Sequence, residues 1–134
     1  MMNTTALASL VINDPQTHAS LVESFELYED ALVHNKVDVL DELFWNSVHT
    51  LRYGVGENLN GYDEIKAFRA SRPSAGLNRT ILDKHIVTFG DGMGVANITF
   101  QRENSNRTGR QSQTWVRFDE GWRVVSAHVS LMGI

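Results

Sequence analysis

The chain has 134 residues, 42% hydrophobic and 21% charged, with a formal net charge of −4. One domain is the expectation at about 100–200 residues per domain; the apolar content excludes a disordered chain, and the acidic balance argues against a nucleic-acid partner, which would ask for a basic excess. Cysteine is absent, which excludes disulfides, thiolate metal sites and thiol catalysis and fits a reducing compartment.

Residues 1–12 read as a loose leader, and residues 13–134 as one domain. The leader, MMNTTALASLVI, has no basic n-region, so no secretory signal is expected. No apolar run approaches the roughly 20 residues of a membrane span. The expectation is a cytoplasmic protein without a membrane partner. Asp14 then reads as an N-cap with Pro15 at the first helical position. Leu21, Phe25, Tyr28 and Leu32 recur at spacings that form one face of an amphipathic helix. That helix should stop near His34 and Asn35, since Asn tolerates the left-handed cap conformation. A short second helix, Val37 to Phe44, groups Val37, Leu40, Leu43 and Phe44, with Asp38 and Asp41 outward near its positive end.

Val48 to Tyr53 is a strand candidate that ends at Gly54, and Gly54-Val55-Gly56-Glu57 is turn chemistry. A further short strand has room near Asn58 and Leu59. A third helix runs from Tyr62 to Ser71, with Ile65 and Phe68 facing in, and Arg72-Pro73 ends it. The remainder reads as long strands joined by hairpins: Arg79 to Phe89, Met93 to Arg102, Arg110 to Phe118 and Trp122 to Leu131. The Asp-Gly and Glu-Gly turns between β-branched and aromatic runs are the hairpin signals. Helices first and a long antiparallel sheet last give an α+β layer fold, with the sheet expected to curl around the helices.

Two C-terminal strands are polar on faces that should be covered. One alternates Arg110, Ser112, Thr114 and Val116 against Gln111, Gln113, Trp115 and Arg117. The other alternates Trp122, Val124, Ser126, His128 and Ser130 against Arg123, Val125, Ala127, Val129 and Leu131. Two readings stay open: a polar face turned to solvent or to a second subunit, and a concave, partly polar small-molecule cavity between sheet and helices. A tyrosine on an apolar helix stripe needs a partner for its hydroxyl, which singles out Tyr28. Arginine is seldom buried unless paired, so Arg52 in a β-run is either exposed or holding an anion. The histidines His49, His85 and His128 form no HxH or HExxH set, so no metal is expected. No nucleophile elbow, P-loop or dinucleotide fingerprint is present, and no cofactor is expected.

The stretches FELYEDAL (25–32), LDELFW (40–45), LRYGVGENL (51–59), IKAFRASRP (65–73), GRQSQTWVRF (109–118) and GWRVVSAHVS (121–130) together resemble the AtzH-like (DUF3225) family of the NTF2-like superfamily, the group that includes SnoaL-like and ketosteroid isomerase-like proteins. The resemblance covers nearly everything after residue 12. It implies an NTF2-like domain over 13–134, a cone-shaped curved antiparallel sheet wrapped around the N-terminal helices, with a pocket at its open end. It also implies a decarboxylating amidohydrolase step that converts 1,3-dicarboxyurea to allophanate in cyanuric acid breakdown. A tyrosine on the first helix and an arginine on the first strand are implicated in that activity, and Tyr28 and Arg52 match those positions. A ketosteroid isomerase-like reaction would need a carboxylate base on the first strand, and no acid lies between Val48 and Tyr53.

The resulting expectation is a small hydrolase or decarboxylase of nitrogen catabolism acting on a carboxylated urea or related amide. Arg52 would clamp a carboxylate in a bidentate pair, and Tyr28 would hydrogen-bond the urea core or deliver a proton. Strand parity and position add Trp45, Ser112 and His128 as pocket-lining residues, and Arg72 as a source of positive potential. The rival expectation is a non-catalytic module that holds a small carboxylate or supports a dimer. Trp115, Trp122, Val125, Val129 and Leu131 suggest more apolar sheet surface than three helices cover, and so a homodimer packed sheet to sheet.

Overall fold

The computed structural model describes residues 10–133. The expected leader falls mostly outside the described residues. Its end is tied down, since Ile12 forms a β-bridge with Phe89 and the Gly90 N–H donates to the Val11 carbonyl at 2.8 Å. The first helix, α1, spans Pro15–Val33. Asp14 caps it by accepting the Thr17 N–H at 3.1 Å, and Pro15 supplies the helical φ without an N–H to satisfy. The helix ends where Asn35 takes φ 51°, the left-handed conformation that Asn tolerates.

Helix α2 (Val37–Leu43), strand β1 (Leu51–Tyr53), strand β2 (Asn58–Asn60) and helix α3 (Tyr62–Ser71) follow, then four long strands: β3 (Arg79–Phe89), β4 (Met93–Arg102), β5 (Thr108–Phe118) and β6 (Gly121–Leu131). Strand β1 is shorter than the stretch from Val48 suggests, and Val48 is largely exposed. Asp41, expected to point outward, instead accepts from the Arg69 Nη1 at 2.6 Å and so joins α2 to α3.

The sheet order is β2-β1-β6-β5-β4-β3. This corrects the expected cone. The sheet is open, ending at β2 on one side and at β3 on the other, and it is mixed rather than antiparallel because β1 runs parallel to β6. Two three-residue strands at one edge do not carry the sheet round to β3, so the helices lie on one face instead of being wrapped. Helix α1 crosses that face, with His18 Nε2 2.9 Å from the Ile86 carbonyl on β3 and Ser20 Oγ accepting from Trp122 Nε1 on β6.

The core between the layers holds Leu21, Phe25, Tyr28 and Ala31 of α1 against Ile98, Phe100, Trp115 and Val124 of the sheet. Burying each large apolar side chain is worth about 1.5–3 kcal/mol. Trp115, Trp122 and Val129 therefore belong to this core and not to an apolar dimer surface; of the residues read as such a surface, only Val125 and Leu131 remain half-exposed.

A β-bulge explains the mixed strand faces. Thr114 pairs with Ser126 and Trp115 with Val124, leaving Val125 as the extra residue of β6. Strict alternation fails there: Trp122 and Val124 face inward, and beyond the bulge Ala127 and Val129 do so. The switch puts Ser126 and His128 on the outer face.

Candidate functional site

Between α1, the loop after α3 and the inner face of the sheet lies a cavity of about 280 Å³. Pockets for drug-sized ligands span about 300–1,000 Å³, so this volume suits a ligand of few atoms. Tyr28, on the buried stripe of α1, lines it. Its ring packs edge-on to Trp115 at 6.4 Å between centroids and against Phe44 at 6.3 Å, which fixes where the hydroxyl sits. Among the described residues the hydroxyl forms no hydrogen bond.

Arg52 enters from β1, opposite Ala127 in the parallel pairing. It is not free. Its Nη1 donates to Glu57 Oε1 at 2.9 Å across the turn after β1. Gly54 makes that reach possible, because a Cβ on residue 54 would stand 1.8 Å from the Glu57 oxygen. Arg52 also sits 5.6 Å from the centre of the Phe68 ring.

Arg72 arrives differently. The residue before a proline is pushed to extended backbone, and Arg72, before Pro73, has ψ 134°, which ends α3 and turns the chain over the cavity. Its Nε and Nη2 are closed from solvent and meet no acceptor. Burial holds this guanidinium below the ordinary arginine range; the Tyr28 phenol opposes that, and Arg52 and Arg69 add to it.

Three further polar residues line it. Arg79 and Arg102 face each other across β3 and β4. Arg79 is paired with Glu29 of α1, one contact being Nε to Oε2 at 3.3 Å, and lies 4.3 Å over the Phe100 ring. Arg102 lies 5.6 Å from the same ring and forms no ion pair among the described residues. Burial, then Arg79 and Arg52, lower it below the usual arginine range. Gln111 of β5 accepts from Arg79 Nη2 at 3.1 Å. The cavity thus concentrates four guanidiniums against one lining carboxylate, Glu57, with Glu29 paired to Arg79 behind the lining, within a chain of net charge −4. Such a site attracts a small anion with two negative charges.

Of the residues singled out in the sequence, Tyr28, Arg52 and Arg72 meet at this cavity. Trp45 lies elsewhere, stacked on Phe118 at 5.5 Å and beside a second cavity with Glu42 and Arg123. Ser112 and His128 are cross-strand partners on the outer face, where Ser112 donates to Asn97 and His128 packs edge-on to Tyr53. None of these three lines the cavity, because the Val125 bulge reverses the parity from which His128 was placed and Ser112 alternates with the inward Gln111. Glu57, Arg79, Arg102 and Gln111 were not singled out. Only Gln111 carries a sequence signal, as a polar residue that shares the covered face of its strand with Trp115. No histidine lines the cavity, and no group of three potential metal ligands occurs among the described residues.

A family model described as AtzH-like matches residues 10–134. A crystal structure of a DUF3225-family protein from Pectobacterium atrosepticum is 52% identical, with a TM-score of 0.90, over 91% of this chain and 95% of that one. A protein from Burkholderia xenovorans described as having a cystatin-like fold is 33% identical at a TM-score of 0.90, covering 94% of this chain and 99% of the other. An NTF2-like superfamily protein from Salmonella enterica, 21% identical with a TM-score of 0.69 over 89% and 93% of the two chains, shares the fold. The curated proteins contain no match.

Proposed function

The chain belongs to the AtzH-like family, and on that premise we propose that it is a decarboxylating amidohydrolase acting on a carboxylated urea of the 1,3-dicarboxyurea kind, or on a related amide. The observation that carries this reading is Arg72: two donors closed from solvent, lacking any acceptor, on a cavity that also holds Tyr28 and Arg52. An unsatisfied buried donor costs about 1–3 kcal/mol, more when charged. A ligand carboxylate removes that cost.

The chemistry asks little of the protein. An N-carboxylated urea loses CO2 when its nitrogen is protonated: the nitrogen gains a proton, the C–N bond to the carboxylate breaks, and its electron pair stays on nitrogen. For 1,3-dicarboxyurea one proton in gives allophanate and CO2 out. Arg72 and Arg102 would hold the carboxylates, and the Tyr28 hydroxyl would give the proton and regain it from water at the mouth. Positioning plus charge stabilisation is then the catalytic contribution.

A specific observation also favours a non-catalytic module that binds small carboxylates. Glu57, the carboxylate on the cavity wall, is held by Arg52, and no histidine lines this cavity to move a proton. One experiment separates the readings. CO2 release is followed from carboxylated urea generated in place by enzymatic opening of cyanuric acid to carboxybiuret and enzymatic hydrolysis of that product with loss of ammonia, beside calorimetric titration with glutarate. The enzyme reading expects acceleration by the wild type, a loss of about a hundredfold or more in kcat for Tyr28→Phe, and carboxylate affinity about ten- to a hundredfold weaker for Arg72→Met with no fall in melting temperature. Carboxylate binding without acceleration would establish the module instead. A wild type that neither binds nor accelerates would remove both.

A further inference from the structure

Gln111 is nearly fully buried, lines the cavity, and has its side-chain nitrogen closed from solvent without an acceptor. Its neighbours decide which way the amide points. A guanidinium is donor only, so Arg79 Nη2 at 3.1 Å must face the amide oxygen. Arg79 cannot turn away, because Glu29 holds it from α1 and Phe100 lies 4.3 Å beneath it. The order is Glu29 to Arg79 to Gln111, and it leaves the two Nε2 hydrogens as neutral donors with nothing to donate to.

We infer that Gln111 determines specificity by donating to a neutral carbonyl oxygen on the ligand, with Arg79 and Glu29 as positioning residues. This rests on the carboxylate reading of the site and narrows it. Carboxylates are drawn to the unpaired cations Arg72 and Arg102, where the attraction is stronger. A neutral amide donor set beside them selects for an uncharged acceptor between or next to the charged groups. The ligand class is then a small carboxylate that also carries a carbonyl, and a simple dicarboxylate of the same span leaves the Gln111 donor unsatisfied. Gln113, two residues on, is equally buried but does not line the cavity, and its oxygen accepts from Trp115 Nε1 at 3.1 Å. It serves as the internal control.

The test uses two probes of equal length, 3-oxoglutarate and glutarate, which differ by one carbonyl. Freshly dissolved, each is titrated calorimetrically into the wild type, Gln111→Met, Gln111→Glu and Gln113→Met. The expected wild-type preference for 3-oxoglutarate is about tenfold or more, since loss of the partner strands a buried donor. Gln111→Met should abolish the preference while leaving glutarate affinity within about twofold. Gln111→Glu, which still accepts from Arg79 but donates nothing, should abolish it too and weaken both probes. Gln113→Met, checked for folding by thermal unfolding, should retain the preference. Wild-type binding of both probes with equal affinity, or a preference that survives in Gln111→Met, would overturn the inference and leave the carboxylate site standing. Failure of the wild type to bind either probe would remove the carboxylate reading and this inference together.

Discussion

Arg52 and Arg72 reach one cavity with opposite standing. Arg52 is neutralised by Glu57 at 2.9 Å, whereas Arg72 has two buried donors and no acceptor. Glu57 therefore works as a brake on anion binding. Glu57→Gln removes the carboxylate but keeps a side chain of the same size, so Arg52 joins Arg72 and Arg102 as a free cation. Glutarate should then bind about three- to tenfold more tightly at low ionic strength, and the gain should shrink with salt as screening shortens the reach of the charges. Titrations at two salt concentrations check this; unchanged affinity at low salt would mean that Arg52 does not sense the ligand. Guanidinium character is legible in the sequence, which has nine arginines to three lysines. The pairing of Arg52 with Glu57 was not, because it depends on the turn geometry that Gly54 permits.

The junction of α2 and α3 supports the cavity from beneath. Asp41 of α2 receives Arg69 through its carboxylate at 2.6 Å and the Tyr62 hydroxyl through its backbone carbonyl at 2.9 Å, both from α3. Arg69 also lies 4.7 Å over the Phe44 ring, which packs against Tyr28. Burial, and next the Asp41 charge, raise the Tyr62 phenol above its ordinary value of 10.0. The folded protein thus keeps the Tyr62 proton to higher pH than the unfolded chain does. The stabilisation is complete below about pH 10 and is lost as pH rises through the folded value. Alkaline unfolding, followed by circular dichroism beside tyrosinate absorbance, should show this limb. Tyr62→Phe should be less stable at neutral pH by about 0.5–1.5 kcal/mol for the lost hydrogen bond, with a flatter decline above pH 10. An equally steep alkaline limb in Tyr62→Phe would assign it to another group.

Over the whole molecule, a cavity with two uncompensated guanidiniums is a source of strain in the unliganded fold. Lowered arginine values for Arg72 and Arg102 express the same fact: the folded surroundings disfavour their charge. Added salt at low ionic strength should raise the melting temperature slightly, and a dicarboxylate should raise it far more. At a hundred times its Kd a ligand contributes about 2.7 kcal/mol, which for a domain of this size is roughly 10 °C. Arg72→Met should lose most of that ligand-induced rise, as differential scanning calorimetry would read. A wild type indifferent to glutarate at saturating concentration would show that the cavity is no anion receptor. Local signals in the chain were enough to place the helices, the four hairpin-linked strands, Tyr28 on α1 and Arg52 on β1, because capping chemistry, helical spacing, turn residues and family motifs are carried within a few residues. They also supported the family assignment. The open mixed sheet in place of a cone emerges only in the assembled fold, since parallel pairing of β1 with β6 joins segments far apart in the chain and leaves no local mark. The same holds for the Val125 bulge, which moved His128 to the outer face, and for the meeting of Arg79, Arg102 and Gln111 with Arg72. One extra residue in a strand reverses every side chain beyond it, so which polar groups face the cavity depends on register between strands and not on the sequence of either.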